Sequence, residues 1–126
     1  MVVEKDERLL HLTVNALTYC VNRRVKGFAD STKAWQHFKE GGTADIILSC
    51  VDAFDVNGFH LMTRARQHNP KLVFIAMSGV KDHEQKAREQ GADGFLGKPF
   101  EIHDLFDIVQ RYVVEGPGKK IVPIDV

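Results

Sequence analysis

Two stretches of the chain are apolar at odd and even positions alike: Ile46-Ile47-Leu48, inside Ala44 to Cys50, and Leu72-Val73-Phe74-Ile75-Ala76-Met77. Short runs of this kind, with β-branched members, predict strands covered on both faces, as in the middle of a parallel sheet. A polar, turn-rich loop follows each, Asp52 to Gly58 after the first and Ser78-Gly79 after the second. Three weaker strands complete the set. Val2-Val3 stops at Glu4-Lys5-Asp6, Val25 to Ala29 is weakened by Gly27, and Asp93 to Gly97 runs into Lys98-Pro99. Helical spacing fills the gaps. Leu10, Val14, Leu17 and Val21 form one apolar stripe, with Asp6 or Glu7 at its positive end. Asp30-Ser31-Thr32 caps a second helix carrying Ala34, Trp35 and Phe38, and Gly41-Gly42 stops it. A third helix runs from about Phe59 to Gln67 and ends at Asn69-Pro70. A fourth, capped by Asp82 and stopped by Gly91, is polar almost all round, with Ala87 its main small apolar residue. Such a helix is held loosely. Ile102, Leu105, Phe106, Val109, Tyr112 and Val113 give the last helix the clearest apolar face.

Five strands alternating with five helices predict a parallel sheet with right-handed crossovers and helices on both faces. This is an α/β chain, a three-layer α/β/α sandwich with the flavodoxin-like strand order 2-1-3-4-5. Ligands of such sheets sit at the carboxyl ends of the strands, beside strands one and three. The domain is expected over residues 1–114, with 115–126 as a tail or linker beginning at Gly116-Pro117-Gly118.

Composition narrows the function by exclusion. The 126 residues carry 44% apolar and 27% charged side chains, ordinary for one soluble globular domain. Lys plus Arg and Asp plus Glu are 17 each, so no charge excess points to direct nucleic-acid contact. No apolar stretch is long enough for a bilayer, so no membrane partner is expected. Two cysteines make no disulfide framework, which fits a reducing cytoplasm. The six histidines are scattered and read as surface or partly buried groups, without zinc spacing. There is no phosphate-cradling glycine loop and no Ser/His/Asp context, so no enzyme is expected.

The carboxyl edge should gather Glu4, Lys5 and Asp6 after strand one, Cys50 after strand three, Ser78 after strand four and Lys98 after strand five. At these residues the chain resembles the receiver domain of bacterial response regulators. The resemblance rests on Asp45-Ile46-Ile47-Leu48 with Asn57-Gly58 downstream, on Met77-Ser78-Gly79, and on Gly91-Ala92-Asp93-Gly94-Phe95-Leu96-Gly97-Lys98-Pro99-Phe100. It implies a phosphorelay signalling module of a two-component system. In that family an aspartate ending strand three is phosphorylated, and two acids after strand one help bind magnesium. By position, the resemblance makes Ser78 the hydroxyl and Phe95 the aromatic of the switch. Lys98 becomes the phosphate-contacting lysine, and Pro99 the proline usually preceded by a cis peptide.

Two departures change that expectation. Cys50 stands at the phosphoacceptor position, and the acid pair reads Glu4-Lys5. Magnesium wants hard oxygen ligands, a thiol is soft, and Lys5 adds a positive charge. The expectation is a pseudo-receiver with weak or absent magnesium binding and no other cofactor. It would act through protein contacts without phosphorylation. Its partner would be a histidine kinase, an output domain or a second copy, met through helix four, strand five and helix five. Lys86, Arg88, Glu89, His103, Asp107 and Arg111 are the candidates on that face. Two alternatives stay open: phosphorylation on Asp52, two residues past Cys50, and redox sensing through Cys50, its thiol activated by Lys98 or Lys5. The plainer readings are an inert thiol at Cys50, an ordinary loop carboxylate at Asp52, a loop cap at Ser78, and an ion pair from Lys98 to Glu4 or Asp6.

Overall fold

The computed structural model describes residues 1–20, 24–51 and 56–115, without the side chains of residues 20, 56–58 and 113–115. Its elements are β1 (Val2–Val3), α1 (Glu7–Cys20), β2 (Gly27–Phe28), α2 (Ser31–Lys39), β3 (Ile46–Cys50), α3 (Val56–His68), β4 (Val73–Ser78), α4 (His83–Glu89), β5 (Gly94–Gly97) and α5 (Ile102–Glu115). The strands form one sheet of order β2-β1-β3-β4-β5, every neighbour parallel. Val21, the loop Asp52 to Asp55 and the tail from Gly116 lie outside the described residues.

The two apolar parities of the central strands serve two cores. Val3, Ile47 and Phe74 pack with Phe38 of α2, with Phe59, Met62 and Ala65 of α3 and with Ala87 of α4. Val2, Leu48 and Ile75 pack on the other face with Leu17 of α1 and Leu105, Ile108 and Val109 of α5. Neighbouring residues of a strand point to opposite faces, so a strand covered twice needs apolar side chains throughout. Ile47, Phe74, Ile75 and Leu105 are fully buried. Each such side chain contributes about 1.5–3 kcal/mol by leaving water.

Local chemistry sets the ends of the elements. Asp30 caps α2 by accepting from the Lys33 N–H at 2.8 Å. Gly41 and Gly91 follow α2 and α4 with φ of +88° and +103°, a left-handed turn that glycine makes without a Cβ clash. Asp93, just ahead of β5, accepts from the Phe74 N–H at 2.8 Å and pairs with Arg66 at 2.7 Å. The Tyr112 hydroxyl donates to the Asp93 carbonyl at 2.5 Å. Its ring lies so close over Gly94 that a Cβ there would meet ring atoms at 3.0 to 3.3 Å.

Several expectations are corrected. β2 is Gly27–Phe28 and not Val25 to Ala29, because β1 offers only Val2 and Val3 to pair with. α3 starts at Val56, three residues before Phe59. Asn and Gly are poor in a helix interior, but in a first turn their N–H groups lack intrahelical acceptors anyway. Asp82 does not cap α4: its own backbone is helical and its side chain makes no capping bond. The first N–H groups there donate to Val80 O and Lys81 O at 3.0 and 3.2 Å. Ile102 is exposed at the start of α5, and Ile108 takes a place in the core. His83 is buried, against the reading of the histidines as surface or partly buried groups.

Candidate functional site

The carboxyl ends of β1, β3, β4 and β5 carry the site. Pairing sets their order: Cys50 lies opposite Met77, and Ser78 opposite Gly97. Glu4 directly follows β1, between β2 and β3, and its backbone N–H donates to Phe28 O at 3.0 Å. A central strand gives its next residue little access to water, and Glu4 is 1% exposed.

Lys98 reaches back across the edge from the end of β5. Its backbone N–H donates to Ser78 O at 2.8 Å, and its peptide bond to Pro99 is cis. Its ammonium lies 2.5 Å from Glu4 Oε1 and 3.1 Å from Cys50 Sγ. Glu4 Oε1 has that cation as an ion-pair partner but none at hydrogen-bond angles among the described residues, while Oε2 accepts from the Asp6 N–H at 3.0 Å. The lysine side chain is 13% exposed, so the pair sits in low dielectric and is poorly screened.

The other acid-pocket candidates are open to solvent. Lys5 and Asp6 are exposed. Asp6 Oδ1 accepts from the Leu9 N–H at 3.1 Å, which makes it the cap of α1. The lysine partner is therefore Glu4. Asp52 lies outside the described residues.

Ser78 is 1% exposed. Its Oγ accepts from the Val80 N–H at 3.0 Å, as a loop cap would, and also lies 2.7 Å from His83 Nδ1. Nothing in the sequence sets His83 apart from the other histidines. An offset of five residues matches neither a helical face nor a metal-ligand spacing, and only the β4–α4 turn brings the two together. Phe95 is half-buried and has no hydroxyl to offer the switch. Lys86, Arg88, Glu89, His103, Asp107 and Arg111 are all exposed on α4 and α5. Arg88 pairs with Glu84 at 3.2 Å, and His103 lies 3.3 Å from both Glu101 and Asp104. Exposed pairs of this kind contribute little. Among the described residues no group of His, Cys, Asp and Glu is placed to hold a metal ion, and no helix is long and apolar enough to cross a membrane.

The model of the response regulator receiver domain matches residues 1–110. The chain belongs to that family. It is 26% identical over 127 residues to the DNA-binding transcriptional regulator NtrC of Azospirillum brasilense, covering 99% of this chain and 26% of the relative. It is 28% identical over 130 residues to the response regulator ArlR of Staphylococcus haemolyticus, covering 99% of this chain and 57% of that one. The chain thus spans between about a quarter and three fifths of these relatives. Two similar structures carry the same fold. A CheY-like receiver domain protein from Methanospirillum hungatei has a TM-score of 0.76 at 20% identity, over 91% of this chain and 92% of its own. Chemotaxis protein CheY4 of Vibrio cholerae has a TM-score of 0.72 at 21% identity, over 87% and 93%. The chain is thus a receiver domain of a two-component response regulator. At the carboxyl edge of its sheet the Cys50 thiol lies beside a lysine that is paired with a buried glutamate.

Proposed function

We propose that this receiver domain acts as a pseudo-receiver, a protein-contact module of a two-component system that works without phosphorylation. One observation carries the reading: the Lys98 ammonium is already engaged, paired with the buried Glu4 and in contact with the Cys50 thiol. A phosphoryl group arriving on an aspartate brings negative charge that magnesium and the lysine must offset. Here the thiol brings no fixed charge, the lysine is paired, and Lys5 puts a cation where the family keeps an acid. The domain is then neither an enzyme nor a magnesium protein. Its partner, a histidine kinase, an output domain or a second copy, meets the exposed residues of α4, β5 and α5. The balanced charge of the chain argues against direct nucleic-acid contact.

Intact mass after incubation with acetyl phosphate and magnesium tests this. An unchanged mass supports the reading. A phosphate adduct defeats it, and an adduct mapped to Asp52 moves the acceptor into the loop after β3.

The contact of 3.1 Å between Lys98 Nζ and Cys50 Sγ favours a second reading, a redox-active thiol. Glu4 weakens it, because the lysine charge is already matched. Alkylation of Cys50 by iodoacetamide at neutral pH, no faster than that of a small free thiol, would set this reading aside.

A further inference from the structure

We propose that His83 is a positioning residue that ties the switch hydroxyl of Ser78 to helix α4. This goes beyond the contact-module reading and stands whether or not the site takes a phosphoryl group.

The bonding around Ser78 leaves little freedom. The Val80 N–H can only donate, so it takes a lone pair of Oγ at 3.0 Å. The bond to His83 Nδ1 at 2.7 Å uses what remains of the hydroxyl, its proton when the ring carries its own on Nε2 or its second lone pair when the ring carries it on Nδ1. Both residues are shielded from water, 1% and 8% exposed, so neither exchanges its partner for solvent cheaply.

His83 also has a particular place in α4. It is the first residue of a helix of seven, and only His83 and Ala87 of that helix are buried. Asp82 supplies no cap. His83 and Ala87 are therefore the two side chains of α4 turned into the protein, and His83 ends on the Ser78 hydroxyl.

The tie continues to the centre of the site. The Ser78 carbonyl accepts from the Lys98 N–H at 2.8 Å, and the Lys98 ammonium lies between Glu4 and Cys50. A partner that shifts α4 draws on Ser78 through His83, and a change around Lys98 reaches α4 by the same bonds. Phe95 has no hydroxyl with which to join this chain. The tie runs to a helix and not to the aromatic ring of β5.

Hydrogen exchange of the α4 amides, with the β4 amides of Phe74 to Met77 as internal reference, tests the tie in a double-mutant cycle. Ser78→Ala and His83→Leu should each speed α4 exchange about tenfold relative to β4, the scale of one buried hydrogen bond. The double variant should be no faster than either single one. His83→Asn, whose side-chain amide can still meet the serine, should stay within about threefold of the parent. Three results overturn the proposal: no change in α4 with either single variant, single effects that multiply in the double variant, or equal acceleration of β4 and α4. The last would mean general destabilisation and no specific tie.

Discussion

Removing either member of the Glu4–Lys98 pair should cost far more than removing both. Glu4 has a side chain with no exposure and Lys98 one with 13%. Among the described residues, Lys98→Met leaves the buried carboxylate with one hydrogen-bond donor, the backbone N–H of Asp6. Stranding a charge in this way costs about 3–5 kcal/mol, and full burial puts Glu4 toward the upper half. Glu4→Met takes one carboxylate from an ammonium that keeps its other contacts and a small opening to solvent, which points to the lower half, about 3 kcal/mol. The double variant replaces both charges by side chains of similar length and strands neither of the two. Its stability should fall within about 1 kcal/mol of the parent, giving a coupling of several kcal/mol. Urea unfolding followed by circular dichroism measures all four proteins. With a slope of roughly 2 kcal/mol/M, Lys98→Met should lower the midpoint by about 2 M at unchanged slope. Single losses below about 1 kcal/mol, or a double loss equal to their sum, would show that solvent reaches the pair and that the closed site is an incorrect description.

Three further outcomes follow from the same geometry. Magnesium titrated against the amide resonances of Glu4, Asp6 and Cys50 should give no saturable shift below millimolar metal; saturation there would defeat the hard-ligand argument. Cys50→Asp alone should take no phosphate from acetyl phosphate and magnesium, whereas Cys50→Asp with Lys5→Asp should be labelled by intact mass. An adduct on the single variant would show that Glu4 and Asp6 suffice for the metal. Asp93→Ala should cost about 1–3 kcal/mol in urea unfolding, because it leaves the Phe74 N–H without its acceptor, and a loss near zero would mean that water replaces it.

The parts legible in the sequence are those where a local pattern and the tertiary environment agree. β3 and β4 stand out because both their faces are covered, so apolar residues run unbroken from Ile46 to Leu48 and from Leu72 to Met77. Cys50 and Ser78 end these two strands, Lys98 follows the weaker β5, and the topology carries all three to one edge. The misses have a common cause. The length of β2 is decided by β1, which no residue between Val25 and Ala29 reveals. Asp82 has the chemistry of a cap, but the turn from Val80 is already helical and leaves it no N–H to take. His83 looks like one polar residue among many on a polar helix, and its burial depends on a serine across a turn. Asp93 was part of a recognisable motif, yet its bond to Phe74 joins residues nineteen apart.

The bare backbone at Gly94 has a mechanical consequence. Tyr112 rests on it through ring contact and holds the Asp93 carbonyl through its hydroxyl, far along α5 and at the amino end of β5. The other end of the helix, at Ile102, is exposed and stands near the carboxyl edge where Lys98 lies. α5 is therefore pinned at two levels, by Leu105, Ile108 and Val109 against the sheet and by Tyr112 on the start of β5. A methyl group at position 94 would meet the Tyr112 ring at 3.0 Å, so the ring would have to give by a few tenths of an ångström, at the end of β5 opposite Lys98.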